Sequence, residues 1–185
     1  MIIETVVTTV SPSGTVHVAP MGIREEADRL LLRPFRPSTT LDNLIETKAG
    51  VVNLTDDVRL FAGCITGRRN WPTRALSGTP ARHRLCAALT HRELAVERID
   101  DDSERPSLWC RVTASVSHAP FPGFNRAQAA VIEAAILVSR VHLLPREKIE
   151  REMGYLGSAI DKTAGARERE AWQWLIEALE RSATR

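Results

Sequence analysis

Cysteine is scarce, and Cys64, Cys86 and Cys110 are the whole set. An odd number of widely spaced thiols with no CxxC pair excludes a disulfide framework and a cysteine-built zinc cluster, and it fits a reducing compartment. Long apolar runs are also lacking. The most apolar stretch, AAVIEAAILVSRVHLL, is interrupted by Glu133 and Arg140 before it reaches the roughly 18 apolar residues that a membrane-spanning helix needs. It reads as a buried helix of a soluble protein. The N-terminal MIIETVVTTV has neither a basic n-region nor a cleavage site, so it reads as a β-strand, and the cytoplasm is the expected location. Net charge is nearly absent: 25 basic against 23 acidic side chains leave +2. No global field draws such a chain to nucleic acid or to an anionic membrane, and neither is expected as a partner. There is no GxGxxG dinucleotide fingerprint, no internal repeat and no low-complexity tract. His17, His83, His91, His118 and His142 show no metal-ligand spacing, and no Ser/His/Asp or Cys/His order stands out. No metal site is expected, and no catalytic residue is assigned.

What is present is an ordinary globular composition, 43% hydrophobic and 26% charged, in a length that holds one domain or a barrel with an appendage. The order is β first and α last, which sets expected domains at 1–120 and 121–185. Val6–Val10 and Val16–Met21 flank Ser11-Pro12-Ser13-Gly14, a hairpin turn by its chemistry. Further strands are expected at Arg29–Arg33, Val51–Leu54 and Val58–Ile65, with a weaker one at Leu85–Leu89. His91–Ile99 and Leu108–His118 form a long hairpin around DDDSERP. The second of these strands places Leu108, Cys110, Val112, Ala114 and Val116 on an inward face. Short strands without βαβ alternation argue for a closed or nearly closed barrel. One helix interrupts them: TTLDNLIETKAG has hydroxyl caps in front, Asp42 in its first turn and Gly50 as a stop. Three more helices close the chain. Asn125 caps the first, Pro145 opens the second with Ile149, Met153, Leu156 and Ile160 on one face, and Gly165 precedes a third carrying Trp172, Leu175, Ile176 and Leu179. The expected fold is α+β, mainly β: a barrel followed by a small helical cluster.

Chemistry concentrates in Arg33-Pro34-Phe35-Arg36-Pro37-Ser38-Thr39-Thr40-Leu41-Asp42-Asn43. Hydroxyls, free amides at a helix start and nearby guanidinium groups suit a phosphate monoester. Hydroxyls before a helix also serve as caps alone, and both readings stand. Asn53, inside an apolar strand, is either a satisfied buried amide or a ligand contact, while Asp56 and Asp57 read as a solvated turn. From Val58 to Arg92 there is no acidic residue, yet Arg59, Arg68, Arg69, Arg74, Arg82, Arg84 and Arg92 occur there. The GRRNWPTR loop with Trp71 is then a lid for an anionic substrate, a solvated loop or a dimer contact.

Taken together, IIETVVTT, VHVAPMGI, RPFRPSTTLDNL, GVVNLTDD and GFNRAQAAVIEAAILVSRVHLLPREKIE resemble a family of FMN-binding split-barrel proteins of unknown function. That family is found in methanogenic archaea and methylotrophic bacteria, and it is distantly similar to flavin reductases. The resemblance implies an FMN-binding split β-barrel, a homodimer with flavin near the interface, and FMN as cofactor. It implies a phosphate loop of Ser38, Thr39, Thr40 and Asn43, with Arg33 or Arg36 as counter-ion and Phe35 between them. Met21, Gly22 and Ile23 would line the isoalloxazine, and Phe124, Asn125 and Arg126 would reach the pocket. The function implied is a flavin-dependent oxidoreductase passing hydride or electrons to a small-molecule partner that the sequence does not identify. The alternative is a non-catalytic FMN carrier or sensor, linked by the family's distribution to pterin-dependent one-carbon metabolism.

Overall fold

The computed structural model describes residues 1–78 and 81–183. Two compact units emerge, Met1–Thr55 with Asn70–Phe121, and Asp56–Arg69 with Pro122–Arg185. In the first, β1 (Ile2–Val10) and β2 (Val16–Glu26) form the expected hairpin, closed by the Gly14 amide donating to the Ser11 carbonyl at 2.9 Å. Then come β3 (Arg29–Leu32), α1 (Thr39–Thr47), β4 (Ala49–Leu54), a small hairpin of β5 (Thr73–Ala75) and β6 (His83–Leu85), and the long pair β7 (Thr90–Asp100) and β8 (Ser107–Ser117). The wall is a closed barrel in the order β1-β2-β3-β8-β7-β4, sealed by β4 against β1. Closure removes the exposed sheet edges that an open array of such strands would carry. Inside lie Val7, Ile23, Leu30, Leu32, Val52, Leu94, Leu108 and Cys110, with Leu41 and Leu44 contributed by α1.

The barrel is nonetheless split along one strand. β2 pairs with β1 from Val16 to Arg24 but with β3 only from Ile23 to Glu26. Among the described residues, the stretch from Val16 to Gly22 therefore has a strand partner on one side only. The inward face of β8 also fades along its length. Leu108 and Cys110 are fully buried, whereas Val116 is 44% exposed. A register shift at Glu93/Leu94 sets two β8 residues against one and turns the strand's end out of the core.

Four further expectations need correction. The segment expected as a strand at Val58–Ile65 is a helix, α2 (Arg59–Ile65), with Leu60 to Cys64 all buried. A short run that is apolar on every side reads alike as strand or helix. What decides it is Asp57, whose carboxylate accepts the Arg59 amide at 3.2 Å and so opens the helix. Asp57 is accordingly buried and salt-bridged to Arg59 at 2.7 Å, not a solvated turn. Gly50 is likewise no helix stop. Lys48, at φ +54°, ends α1, and Gly50 lies in β4, where a Cβ would meet Leu44 Cδ2 at 2.9 Å. The β6 strand ends at Leu85, so the weaker strand expected at Leu85–Leu89 is a turn beyond its first residue.

The second unit holds α2 with α3 (Arg126–Ser139), α4 (Arg146–Thr163) and α5 (Ala166–Ala183). Asn125 caps α3 as expected, accepting the Ala127 amide at 2.8 Å. Ile149, Met153 and Ile160 of α4, Ala171 and Leu175 of α5, and Val58 and Ala62 beside α2 share its core. The helical unit is thus discontinuous in sequence. Among the described residues no helix is long and apolar enough to cross a membrane.

Candidate functional site

The loop from Arg33 to Ser38 leads into α1 and is held from the opposite side by the β7–β8 turn. The Arg36 amide donates to the Glu104 carbonyl at 2.8 Å, and the Arg105 guanidinium donates to the Arg33 carbonyl at 3.2 Å and covers the Phe35 ring at 4.2 Å. That turn is itself stiff, because the Asp102 carboxylate accepts the Glu104 and Arg105 amides at 2.9 and 2.7 Å. Those bonds hold its pKa below the ordinary value. Of the two expected counter-ions, Arg36 is engaged with Asp101 at 2.9 Å, whereas Arg33 donates to the Arg105 carbonyl at 3.5 Å and its charge helps to hold the Asp102 pKa down.

Ser38 is the N-cap of α1. Its hydroxyl accepts the Leu41 amide at 3.3 Å and its carbonyl the Asp42 amide at 3.1 Å. The amides of Thr39 and Thr40 take no backbone acceptor among the described residues. Free amides at a helix start, backed by the macrodipole, are what a phosphate needs. Thr39 is exposed, while Thr40 and Asn43 are buried, Asn43 donating to Thr9 Oγ1 at 3.0 Å. The cap and the free donors therefore fall on different residues.

Met21 and Ile23 belong to the same apolar cluster as Leu41 and Leu44 of α1, so β2 and α1 are brought together. Ile23 is fully buried, which leaves only its backbone for a ligand, and the space above Gly22 is taken by Ile2 Cγ2, 2.8 Å from an added Cβ. Met21 and Gly22 sit on the one-sided stretch of β2. Asn53 is fully buried, and its bonds are those of a satisfied amide. Nδ2 donates to the Val6 carbonyl at 3.0 Å and Thr8 Oγ1 at 3.2 Å, and Oδ1 accepts the Leu85 amide at 2.8 Å. One side chain thereby ties β1, β4 and β6. Phe124, Asn125 and Arg126 belong to the helical unit. There Asn125 also donates to the Thr163 carbonyl at 3.0 Å, Arg126 opens α3, and Phe124 is fully exposed.

The basic segment separates into two groups. Arg59 joins Asp57 and Glu170, Arg68 lies over Trp174, and Arg69 is in the same helical unit. In the barrel unit Arg82 meets Glu93 at 3.3 Å and Arg92 meets Glu25 at 2.6 Å. Thr79 and Pro80 of this segment lie outside the described residues. Sequence reasoning missed the adjacent histidine pair. His91 Nδ1 and His118 Nε2 are 2.8 Å apart with rings parallel within 8°. A separation of 27 residues follows no motif, and only the register of β7 on β8 brings the pair together.

Comparison with known proteins agrees with this architecture. No curated protein matches the chain. An FMN-bound protein of Methanosarcina mazei assigned to the DUF447 family superposes with a TM-score of 0.84 at 22% identity, over 96% of this chain and 94% of the other. The styrene monooxygenase flavin reductase of Pseudomonas putida S12 covers 63% of this chain and 81% of its own, with a TM-score of 0.54 at 14% identity. An FMN-binding protein of Thermus thermophilus, solved with cyclohex-2-enone, gives a TM-score of 0.53 at 13% identity, over 62% and 70%. At these identities the likeness establishes the fold, a flavin-reductase-like split barrel. Family models described as the N-terminal domain of protein of unknown function DUF447 and as protein of unknown function DUF447 match residues 3–119 and 125–177, so the chain belongs to the DUF447 family.

Proposed function

We propose that this protein binds FMN in the barrel unit, with the phosphate on the start of α1 and the isoalloxazine along the one-sided stretch of β2, and that it works as a flavin-dependent oxidoreductase. The observation that carries the reading is the division of labour at α1. Ser38 serves the fold as cap, which leaves the Thr39 and Thr40 amides and the exposed Thr39 side chain to an anion. Arg33 adds positive charge on the loop before α1, where it forms no salt bridge among the described residues, although the Asp102 carboxylate feels its charge. The FMN bound to the Methanosarcina mazei family member, a chain of nearly the same extent, supports the choice of cofactor. Bound flavin supplies hydride or single-electron transfer, and the chain's own part is to fix and desolvate it. Met21 and Gly22 would offer backbone donors and acceptors to the pyrimidine edge. A homodimer completes the proposal.

The test is titration by fluorescence quenching. FMN should bind much more tightly than riboflavin, since each lost hydrogen bond to a charged acceptor costs about 1.5–3 kcal/mol. Thr39→Ala should weaken FMN without lowering apo stability, whereas Ser38→Ala should cost the apo fold about 0.5–2 kcal/mol. Equal affinity for riboflavin and FMN would remove the phosphate assignment. Failure of NADH, NADPH and reduced deazaflavin to reduce the bound flavin would remove the oxidoreductase part and leave a flavin-binding protein. Light scattering tests the dimer directly, and a monomer with full flavin affinity contradicts it.

A further inference from the structure

The short hairpin of β5 and β6 contains an arrangement that is unfavourable as it stands. Arg74 and Arg84 are direct cross-strand partners. Opposed side chains in an antiparallel pair lie about 4.5–5.5 Å apart at Cβ, and like charges there repel. Every other arginine of the basic segment in this unit has a carboxylate, Arg82 with Glu93 and Arg92 with Glu25. Among the described residues Arg74 and Arg84 have none, and the one bond from the Arg84 guanidinium goes to the Leu85 carbonyl at 3.0 Å.

The hairpin is fixed beside the histidine pair. The Leu85 amide donates to Asn53 Oδ1 at 2.8 Å, and Asn53 is the register partner of His91 on β7. His91 is bonded to His118 at 2.8 Å and is almost completely enclosed. Among the described residues its Nε2 has no partner within hydrogen-bond distance: Glu93 Oε1 is 3.9 Å away, and Glu93 is already engaged by Arg82. Two guanidinium groups and two imidazoles thus converge with a single carboxylate that is spent elsewhere. The positive charge is felt by the rings: burial first, then Arg84 and Arg74, hold the His118 pKa below its ordinary value. Burial, the neighbouring His118 and Arg84 do the same to His91, with Glu93 opposing.

We propose that Arg74, Arg84 and the His91–His118 pair form a site for the phosphate group of a small phosphorylated molecule, distinct from the α1 phosphate loop. A dianion between the two arginines converts their repulsion into charge-assisted bonds. It also favours the protonated form of the adjacent imidazoles, so binding takes up a proton and tightens as pH falls. The charged groups that act on the pair are Arg74 from β5, Arg84 from β6 and Glu93 from β7, and Glu93 is itself held by Arg82 from the turn between β5 and β6. The proposal goes beyond FMN binding and does not depend on it.

The experiment follows the His118 and His91 ring protons by NMR against pH, in the full chain, with inorganic phosphate or with chloride at equal ionic strength. Phosphate should raise the His118 pKa by about 1 unit, the response expected to a nearby opposite charge. Arg74→Gln with Arg84→Gln should abolish that rise while leaving the apo melting temperature unchanged or higher, because the repulsion is gone. Pyrophosphate and FMN are titrated into the same double variant. Retained FMN affinity together with lost phosphate response supports a second, separate phosphate site. Loss of FMN affinity in this variant, with FMN affinity kept in Thr39→Ala, would show that the anion is the cofactor's own phosphate and overturn the proposal. An unchanged His118 titration in phosphate, or a rise that survives in the double variant, also overturns it. Phosphate-linked titration in a protein that binds no FMN would leave this site standing while the flavin reading fell.

Discussion

Burial decides what the titratable side chains of the barrel unit do. His91 and His118 both have pKa values below the ordinary histidine value in the folded chain, with desolvation the largest cause for each. The unfolded chain then binds more protons than the native one once the pH drops below about 6.5, so stability falls with acid across that window. Thermal melts between pH 8 and pH 5 should show the melting temperature declining below about 6.5. His91→Gln should flatten that decline, and an equal slope in wild type and variant would count against it. The carboxylates held low by arginine or by backbone amides, Glu97 and Asp102, add acid sensitivity only further down, below their ordinary values. The thiols follow the same rule of burial. Cys110 is enclosed and its pKa is pushed up to about 12, mainly by desolvation and then by the Glu97 charge, while Cys64 is buried and Cys86 exposed. A thiol reagent at pH 8 should label one cysteine in the native protein, Cys86, and all three only after unfolding. Labelling of Cys110 in the native state would contradict its placement.

At the scale of elements, α1 shows how local chemistry and tertiary demand divide a short helix. Its start was legible in the sequence as a row of hydroxyls, but the hydroxyls could not be told apart. Only the folded backbone assigns the cap to Ser38 and leaves Thr39 outward. Its end was misread, because Gly50 is the obvious stop while Lys48 takes the left-handed conformation instead. Gly50 is needed elsewhere, against Leu44. A non-glycine residue in that conformation costs about 1–2 kcal/mol. Lys48→Gly should therefore stabilise the protein by about 1 kcal/mol, read as a rise in the denaturation midpoint with an unchanged slope. A lower midpoint would show that the Lys48 side chain matters more than its backbone. The α2 segment teaches the converse lesson: the six residues that follow Arg59 in Arg59–Ile65 form an apolar run with no period to read. Asp57 supplies the helix start, and burial on every side supplies the rest.

For the whole molecule, the notable consequence is that the helical unit is assembled from two distant stretches. Val58 and Ala62 belong to the same core as Ala127, Val131, Met153 and Leu175. A fragment of residues 122–185 alone lacks the first two and the ion pair of buried Asp57 with half-buried Arg59 in that unit. It should melt with less cooperativity than the intact chain, and a synthetic peptide of residues 56–69 should raise its helical signal on addition. A fragment that melts as sharply as the intact protein without the peptide would show that α2 is dispensable to the helical core.

By itself the sequence determined the alternation that builds the barrel strands, the hairpin at Ser11–Gly14, the cap at Asn125, the helix start at Pro145, and the membership in a flavin-linked family. Each of these is written in neighbouring residues or in turn chemistry, so no distant contact is needed to read it. Tertiary structure alone decided the remainder. It chose helix over strand at α2, gave Asn53 its four partners across β1, β4 and β6, and split the barrel along β2 by ending its pairing with β3 at Ile23. It also set Arg74 opposite Arg84 and His91 against His118. The physical reason is common to all: strand register and burial fix which remote side chains meet, and a charge or amide acquires its role from the partners that register provides or withholds.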